Sequence, residues 1–158
     1  MNKAAWLFVM FASILSLFAQ QDEKSQSLPA GTNTPAQKGI KFFQGTWSEL
    51  LTESQKTGKP IFLDAYAAWC APCRMMATNT FTDAEVGTFF NEHFVNYKLD
   101  MEKGEGPAIS MKYRVTHYPT YLFLDAAGNL KYRTMGYMIP DMFIQEGKKA
   151  VESFKNSD

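Results

Sequence analysis

Ile61-Phe62-Leu63-Asp64-Ala65-Tyr66-Ala67-Ala68-Trp69-Cys70-Ala71-Pro72-Cys73-Arg74 is the stretch that decides the fold. Ile61 to Ala67 is apolar and aromatic except for one Asp, the pattern of a central strand covered on both faces. It runs directly into a Cys-x-x-Cys turn, so a dithiol is expected at a strand-to-helix junction. Cys70 then falls in the first turn of the helix. There, unpaired backbone N–H groups and the helix dipole stabilise a thiolate and lower its pKa below the free value of about 8.5. Position and exposure both point to Cys70 as the nucleophile. Cys73 is close enough to attack the mixed disulfide that Cys70 forms, and Pro72 fixes the turn between them. The chain has only these 2 cysteines. A small secreted fold stapled by disulfides would show several spaced pairs, whereas a lone Cys-x-x-Cys suits redox exchange.

Upstream, Gly58-Lys59-Pro60 ends a helix that opens at Thr46-Trp47-Ser48-Glu49, a Thr and a Glu at capping-box spacing. Ile40 to Phe43 is a short strand candidate. From Gln20 to Gly39 the sequence is rich in Gln, Ser, Thr, Pro, Gly and Lys and reads as a flexible tether, too poor in apolar surface to offset its ordering entropy. Before it, Lys3 and the uncharged run from Ala4 to Ala19 have the form of a signal peptide, with cleavage expected after Ala19. The run is shorter than the roughly 20 residues of a spanning helix. An uncleaved N-terminal anchor is the alternative, and only then would the protein meet a membrane. No Cys lies near the cleavage point to carry a lipid. The organisation expected is a leader over 1–19, a linker over 20–39 and one folded domain over 40–158.

Downstream, Asn79 and Thr80 interrupt the helix after the dithiol, and Thr82-Asp83-Ala84-Glu85 supplies a second capping box. Val86, Phe89, Phe90 and Phe94 recur at helical spacing and read as core. Phe94 to Asp100 is a strand, Met101 to Gly106 a loop, Pro107 to Tyr113 a short helix, and Tyr121 to Leu124 a strand. Asp125-Ala126-Ala127-Gly128-Asn129 turns a hairpin into Leu130 to Met135. Pro140 opens a last helix to Phe154 that offers Met142, Phe143, Ala150, Val151 and Phe154 for burial. The order β-α-β-α-β-α-β-β-α gives an α/β fold, a mixed central sheet flanked by helices.

With 158 residues, 46% of them hydrophobic, and 13 Phe, 7 Tyr and 3 Trp, the chain can build a sizeable core. Its 16 basic and 16 acidic residues cancel. That leaves no electrostatic footprint for nucleic acid and no strong pull toward an anionic membrane. No Gly-rich phosphate loop follows any expected strand, so no nucleotide or flavin cofactor is expected and electrons must arrive by thiol exchange.

The segment Leu63 to Arg74 resembles the active-site segment of thioredoxins. Tyr118-Pro119-Thr120 is similar to that family's Pro-Thr segment, whose proline is cis and faces the dithiol. The resemblance covers Ile40 to Phe154 and implies the thioredoxin fold. From Thr80-Phe81-Thr82-Asp83 through Asp100-Met101-Glu102 it is most similar to thioredoxin-like domains of the bacterial envelope, including the C-terminal domain of the disulfide-bond D family of transmembrane reductases. By the same resemblance, Asp64 matches the buried carboxylate that takes the resolving cysteine's proton, and its apolar neighbours agree with burial and a raised pKa. Lys98 matches the lysine paired with that acid, or is a solvated strand-end lysine. The peptide edge before Pro119, flanked by Tyr118 and Thr120, would bind a substrate's extended backbone as an added strand, with Trp69 covering the dithiol from the other side.

The implied activity is that of a secreted or periplasmic protein-disulfide oxidoreductase. Its partners would be disulfide-bearing proteins and a membrane-linked thiol-disulfide electron donor. Ala71 and Pro72 place no positive charge between the cysteines, which favours reduction over oxidation. His117 complicates the direction, since it lies near Pro119 in sequence and could approach Cys70. Two other classes stay open. Cys70, Cys73, His93 and His117 could hold a soft cation such as Cu(I) or Zn, although the ligand count is poor and Pro72 stiffens the turn in the redox manner. A chaperone could also have kept the fold without the catalysis.

Overall fold

The computed structural model describes residues 38–155, so the expected leader and nearly all of the expected linker lie outside the described residues. The first helix, α1 (Trp47–Thr57), starts where the sequence placed it. Thr46 accepts the Glu49 N–H and the Glu49 carboxylate accepts the Thr46 N–H, a complete capping box, and Gly58 closes the helix at φ 69°. Strand β1 (Ile61–Tyr66) follows and leads into a helix of one turn, α2 (Ala71–Met75). The break expected at Asn79 and Thr80 takes the form of a π-turn over Met76–Thr80, in which the Phe81 N–H reaches back to the Met76 carbonyl at 2.8 Å. Widened turns of this kind often occur at functional sites. The remaining elements are α3 (Ala84–His93), β2 (Val95–Asp100), α4 (Gly106–Tyr113), β3 (Thr120–Leu124), β4 (Leu130–Met135) and α5 (Pro140–Lys155).

The strands form one 4-stranded sheet in the order β2-β1-β3-β4. β1 pairs parallel with β2 and antiparallel with β3, and β3 pairs antiparallel with β4 across the expected hairpin. The strand that leads into the dithiol is therefore internal and buried on both faces. Its side chains alternate between two cores. Ile61, Leu63 and Ala65 join Leu50, Leu122, Leu124 and Ile109. Phe62 joins Phe90, Phe94, Tyr121, Phe123 and Phe143. Helices α3 and α5 meet over the second core at Gly147, where a Cβ would lie 2.6 Å from the Phe89 ring, so only glycine permits this approach.

Three expectations are corrected. Ile40 to Phe43 is not a strand but a single bridge, Phe42 to Asn96. The Asn96 amide donates to the Lys41 carbonyl and the Asn91 side chain, so a side chain supplies pairing that a ladder would otherwise give. The cap of α3 is Asp83 rather than Thr82. Asp83 accepts from the Glu85 and Val86 N–H groups, while the Thr82 hydroxyl turns back to the Thr78 carbonyl. Met142 is 56% exposed, because α5 buries the stripe through Phe143, Gly147 and Ala150, with Val151 and Phe154 packed partly against it.

Candidate active site

Cys70 and Cys73 are joined as a disulfide with an S–S length of 2.04 Å. Cys70 is the N-cap of α2, one position before the first helical turn, and its Sγ accepts the Cys73 N–H at 3.1 Å. A backbone donor is thus aimed at the sulfur that would carry the negative charge. Exposure does not separate the two thiols as expected: Cys70 is 2% exposed and Cys73 6%. The cap geometry alone distinguishes them. Ala67 packs with both cysteines, and Tyr66 and Tyr118 close over the group.

Tyr118 packs against the dithiol, and the Tyr118-Pro119 peptide is cis. Its ring meets Trp69 edge to face at 5.8 Å. Trp69 is 66% exposed, and its indole N–H donates to both carboxylate oxygens of Glu102 at 3.0 Å. Glu102 was not singled out in the sequence. Its contact with Trp69 spans two separate loops, and the only hint was an acid in the charged loop after a strand. Thr120 is buried, and its hydroxyl donates to the His117 carbonyl at 2.7 Å. Thr120 opens β3, which lies between β1 and β4, opposite Ala65 on one side and Met135 on the other.

Asp64 is buried on the aromatic side of β1, with its Oδ1 lacking any hydrogen-bond partner among the described residues. Burial pushes its pKa up to about 7, partly offset by the positive charge of Lys98. Lys98 sits opposite Asp64 in the parallel register. It forms no ion pair among the described residues. Its ammonium rests 4.9 Å from the centre of the Tyr66 ring and 5.6 Å from that of Phe42, and it acts on Asp64 at longer range.

Arg74 donates to the Ala68 carbonyl at 3.3 Å. His117 bonds to the Thr116 hydroxyl, and His93 stacks on Phe89 with its Nδ1 at the Phe89 carbonyl. Among the described residues no three His, Cys, Asp or Glu side chains are gathered as a metal site, so Cys70, Cys73, His93 and His117 are not brought together. Nor is any described helix long and apolar enough to cross a membrane.

A family model described as thioredoxin-like matches residues 43–126. The chain belongs to the thioredoxin-like family. It has the thioredoxin fold, with its Cys70-Cys73 pair at disulfide distance. A thioredoxin-like protein of Synechocystis is 33% identical over 100 residues, covering 63% of this chain and 87% of that one. The thiol:disulfide interchange protein DsbD of Yersinia pestis is 33% identical over 95 residues, 58% of this chain. The match spans only 16% of that DsbD. Among solved structures, a proposed disulphide isomerase of Bacteroides thetaiotaomicron superposes with a TM-score of 0.66 at 39% identity, covering 73% of this chain and 96% of that one. The oxidised C-terminal domain of Neisseria meningitidis DsbD shares the fold, with a TM-score of 0.58 at 24% identity over 70% of this chain and 99% of that one.

Proposed function

We propose that this protein is a periplasmic or secreted reductase of protein disulfides. The Cys70 thiolate attacks a substrate disulfide, forming a mixed disulfide and releasing one substrate thiolate. Cys73 gives its proton to Asp64 and attacks the Cys70 sulfur. The second substrate thiolate leaves, and the Cys70-Cys73 disulfide remains. Two electrons from a membrane-linked dithiol donor then restore the pair. The peptide edge before Pro119, flanked by Tyr118 and Thr120, would receive the substrate backbone, with Trp69 as the opposite wall. Lys98 would tune Asp64.

The observation that carries this reading is the junction itself: a capped sulfur on one element and, on the strand before it, a buried carboxylate with a pKa of about 7. A base matched to neutral pH is what proton removal from a thiol requires. The reducing direction is supported by the charges beside the dithiol. Ala71 and Pro72 carry none, and Glu102 holds a carboxylate against Trp69, the neighbour of Cys70. Negative charge disfavours the thiolate, which makes the disulfide the weaker oxidant. The extracytoplasmic location is supported by the leader-like residues 1–19 and the likeness to DsbD.

Insulin reduction by the dithiol form tests the activity, which should disappear in Cys70→Ser. Equilibration against glutathione tests the direction, since roughly 30 mV changes the equilibrium constant tenfold. A couple more oxidising than glutathione would reverse the proposed flux.

A further inference from the structure

One row of side chains departs from the apolar character of the sheet. Lys98 of β2 lies opposite Asp64 of β1, Asp64 opposite Tyr121 of β3, and Tyr121 opposite Thr134 of β4. Directly opposed residues of an antiparallel pair point to the same face with Cβ atoms about 4.5–5.5 Å apart. Asp64 and Tyr121 therefore leave the sheet side by side. Both are buried, Tyr121 completely. Asp64 Oδ1 and the Tyr121 hydroxyl both lack a hydrogen-bond partner among the described residues. An orphaned polar atom in a core is costly. Two that face the same side of neighbouring strands can be joined through one bridging water.

The Tyr121 ring is walled by Phe143, Phe62 and Phe81 at 5.1, 6.0 and 6.3 Å, which holds the phenol inside. Burial and the neighbouring carboxylate both push the phenol's pKa up, so it stays a proton donor at any physiological pH. The other charged or titratable groups facing Asp64 are Lys98 from β2 and Tyr66 on its own strand, the latter opposite Asp100. The helical elements over this face contribute Met76, Phe81 and Phe143, and the Thr80 hydroxyl, which is taken by the Met138 carbonyl. The dithiol lies on α2, beyond the end of β1.

We propose that Tyr121 is a positioning residue for the redox reaction: its hydroxyl donates through one bridging water to the Asp64 carboxylate and holds the base in its proton-accepting form. The kinetic part of this inference rests on Asp64 as the base for Cys73. The hydrogen bond itself does not.

The test is the titration of the Asp64 carboxyl carbon by NMR in the reduced full chain, the signal being assigned with Asp64→Asn. In Tyr121→Phe, which keeps the ring and loses the donor, the Asp64 titration should move up by about one pH unit. The acid limb of mixed-disulfide resolution should move with it, while the rate on the alkaline plateau stays unchanged. Tyr121→Leu must shift the titration in the same direction if the Phe variant folds poorly. A titration that stays in place or moves down overturns the proposal, because loss of packing alone would at most admit water and lower the carboxyl's affinity for protons, never raise it. If Asp64→Asn leaves the acid limb intact, Asp64 is not the base and the kinetic role of Tyr121 falls with it. The carboxyl titration then still decides the hydrogen bond.

Discussion

Ile61, Leu63 and Ala65 look into a core of aliphatic side chains with Tyr97 and Tyr113 at its margin, whereas Phe62, Asp64 and Tyr66, alternating with them along β1, face aromatic rings and a lysine. Both faces are equally dry over most of their length. The first has only packing to do. The second uses the same dryness to change chemistry, because removing water from around a carboxylate raises its proton affinity into the neutral range. Burial thus supplies stability on one side of the strand and a carboxyl with a near-neutral pKa on the other.

Asp64→Asn should break this contrast with the largest effect. Its pKa is raised from 3.8 to about 7 by folding, so the group favours the fold fully below about pH 3.8 and loses that contribution as pH rises through about 7. The oxidised Asn variant should match the wild type in denaturant unfolding at low pH and exceed it by about 4 kcal/mol at slightly alkaline pH. It should also resolve mixed disulfides more slowly while Cys70 attacks at nearly the normal rate. A pH-independent stability difference would show that Asp64 is not desolvated.

Leu63→Ala probes the other face and should cost about 3 kcal/mol at every pH, since it opens a cavity in the aliphatic core. The redox potential should not move. A smaller loss of about 1 kcal/mol is expected for Thr46→Ala, which removes the capping box of the helix that brings Leu50 to that core. Thermal unfolding checks both, and a changed Cys70 reactivity in either would mean that the two faces are coupled.

Much of this contrast was legible in the sequence wherever the signal was local. The Ile61–Tyr66 strand, the dithiol at its end, the Thr46 cap and the hairpin all depend on neighbours within a few residues. Asp64 and Pro119 came from the family resemblance, and the structure places Asp64 in a dry site and Pro119 after a cis peptide. What could not be read was long-range or a competition between near equals. Glu102 meets Trp69, and Tyr121 sits beside Asp64, only once the sheet and loops are assembled. Thr82 and Asp83 are both good caps, and the choice fell to the one whose oxygen meets two N–H groups. Ile40 to Phe43 had a strand's composition, but one main-chain bridge to Asn96 and side-chain bonds from Asn91 and Asn96 to Lys41 hold it instead of a ladder.

The smallest expected effect concerns charge at the rim rather than inside. Glu102 is bound to the exposed Trp69 indole next to Cys70, so its charge is felt by the thiol through water rather than through a dry core. In Glu102→Gln the amide oxygen can still accept from the indole, while the negative charge is gone. The Cys70 thiol of the reduced protein should then titrate a few tenths of a pH unit lower, read from thiolate absorbance. The disulfide should become correspondingly more oxidising. Added salt should shrink the difference between variant and wild type, as it does for exposed charges, whereas the Asp64 titration should scarcely respond. Equal salt sensitivity at the two acids would mean that Asp64 is reached by solvent, and the contrast between a wet rim and a dry carboxyl would fail.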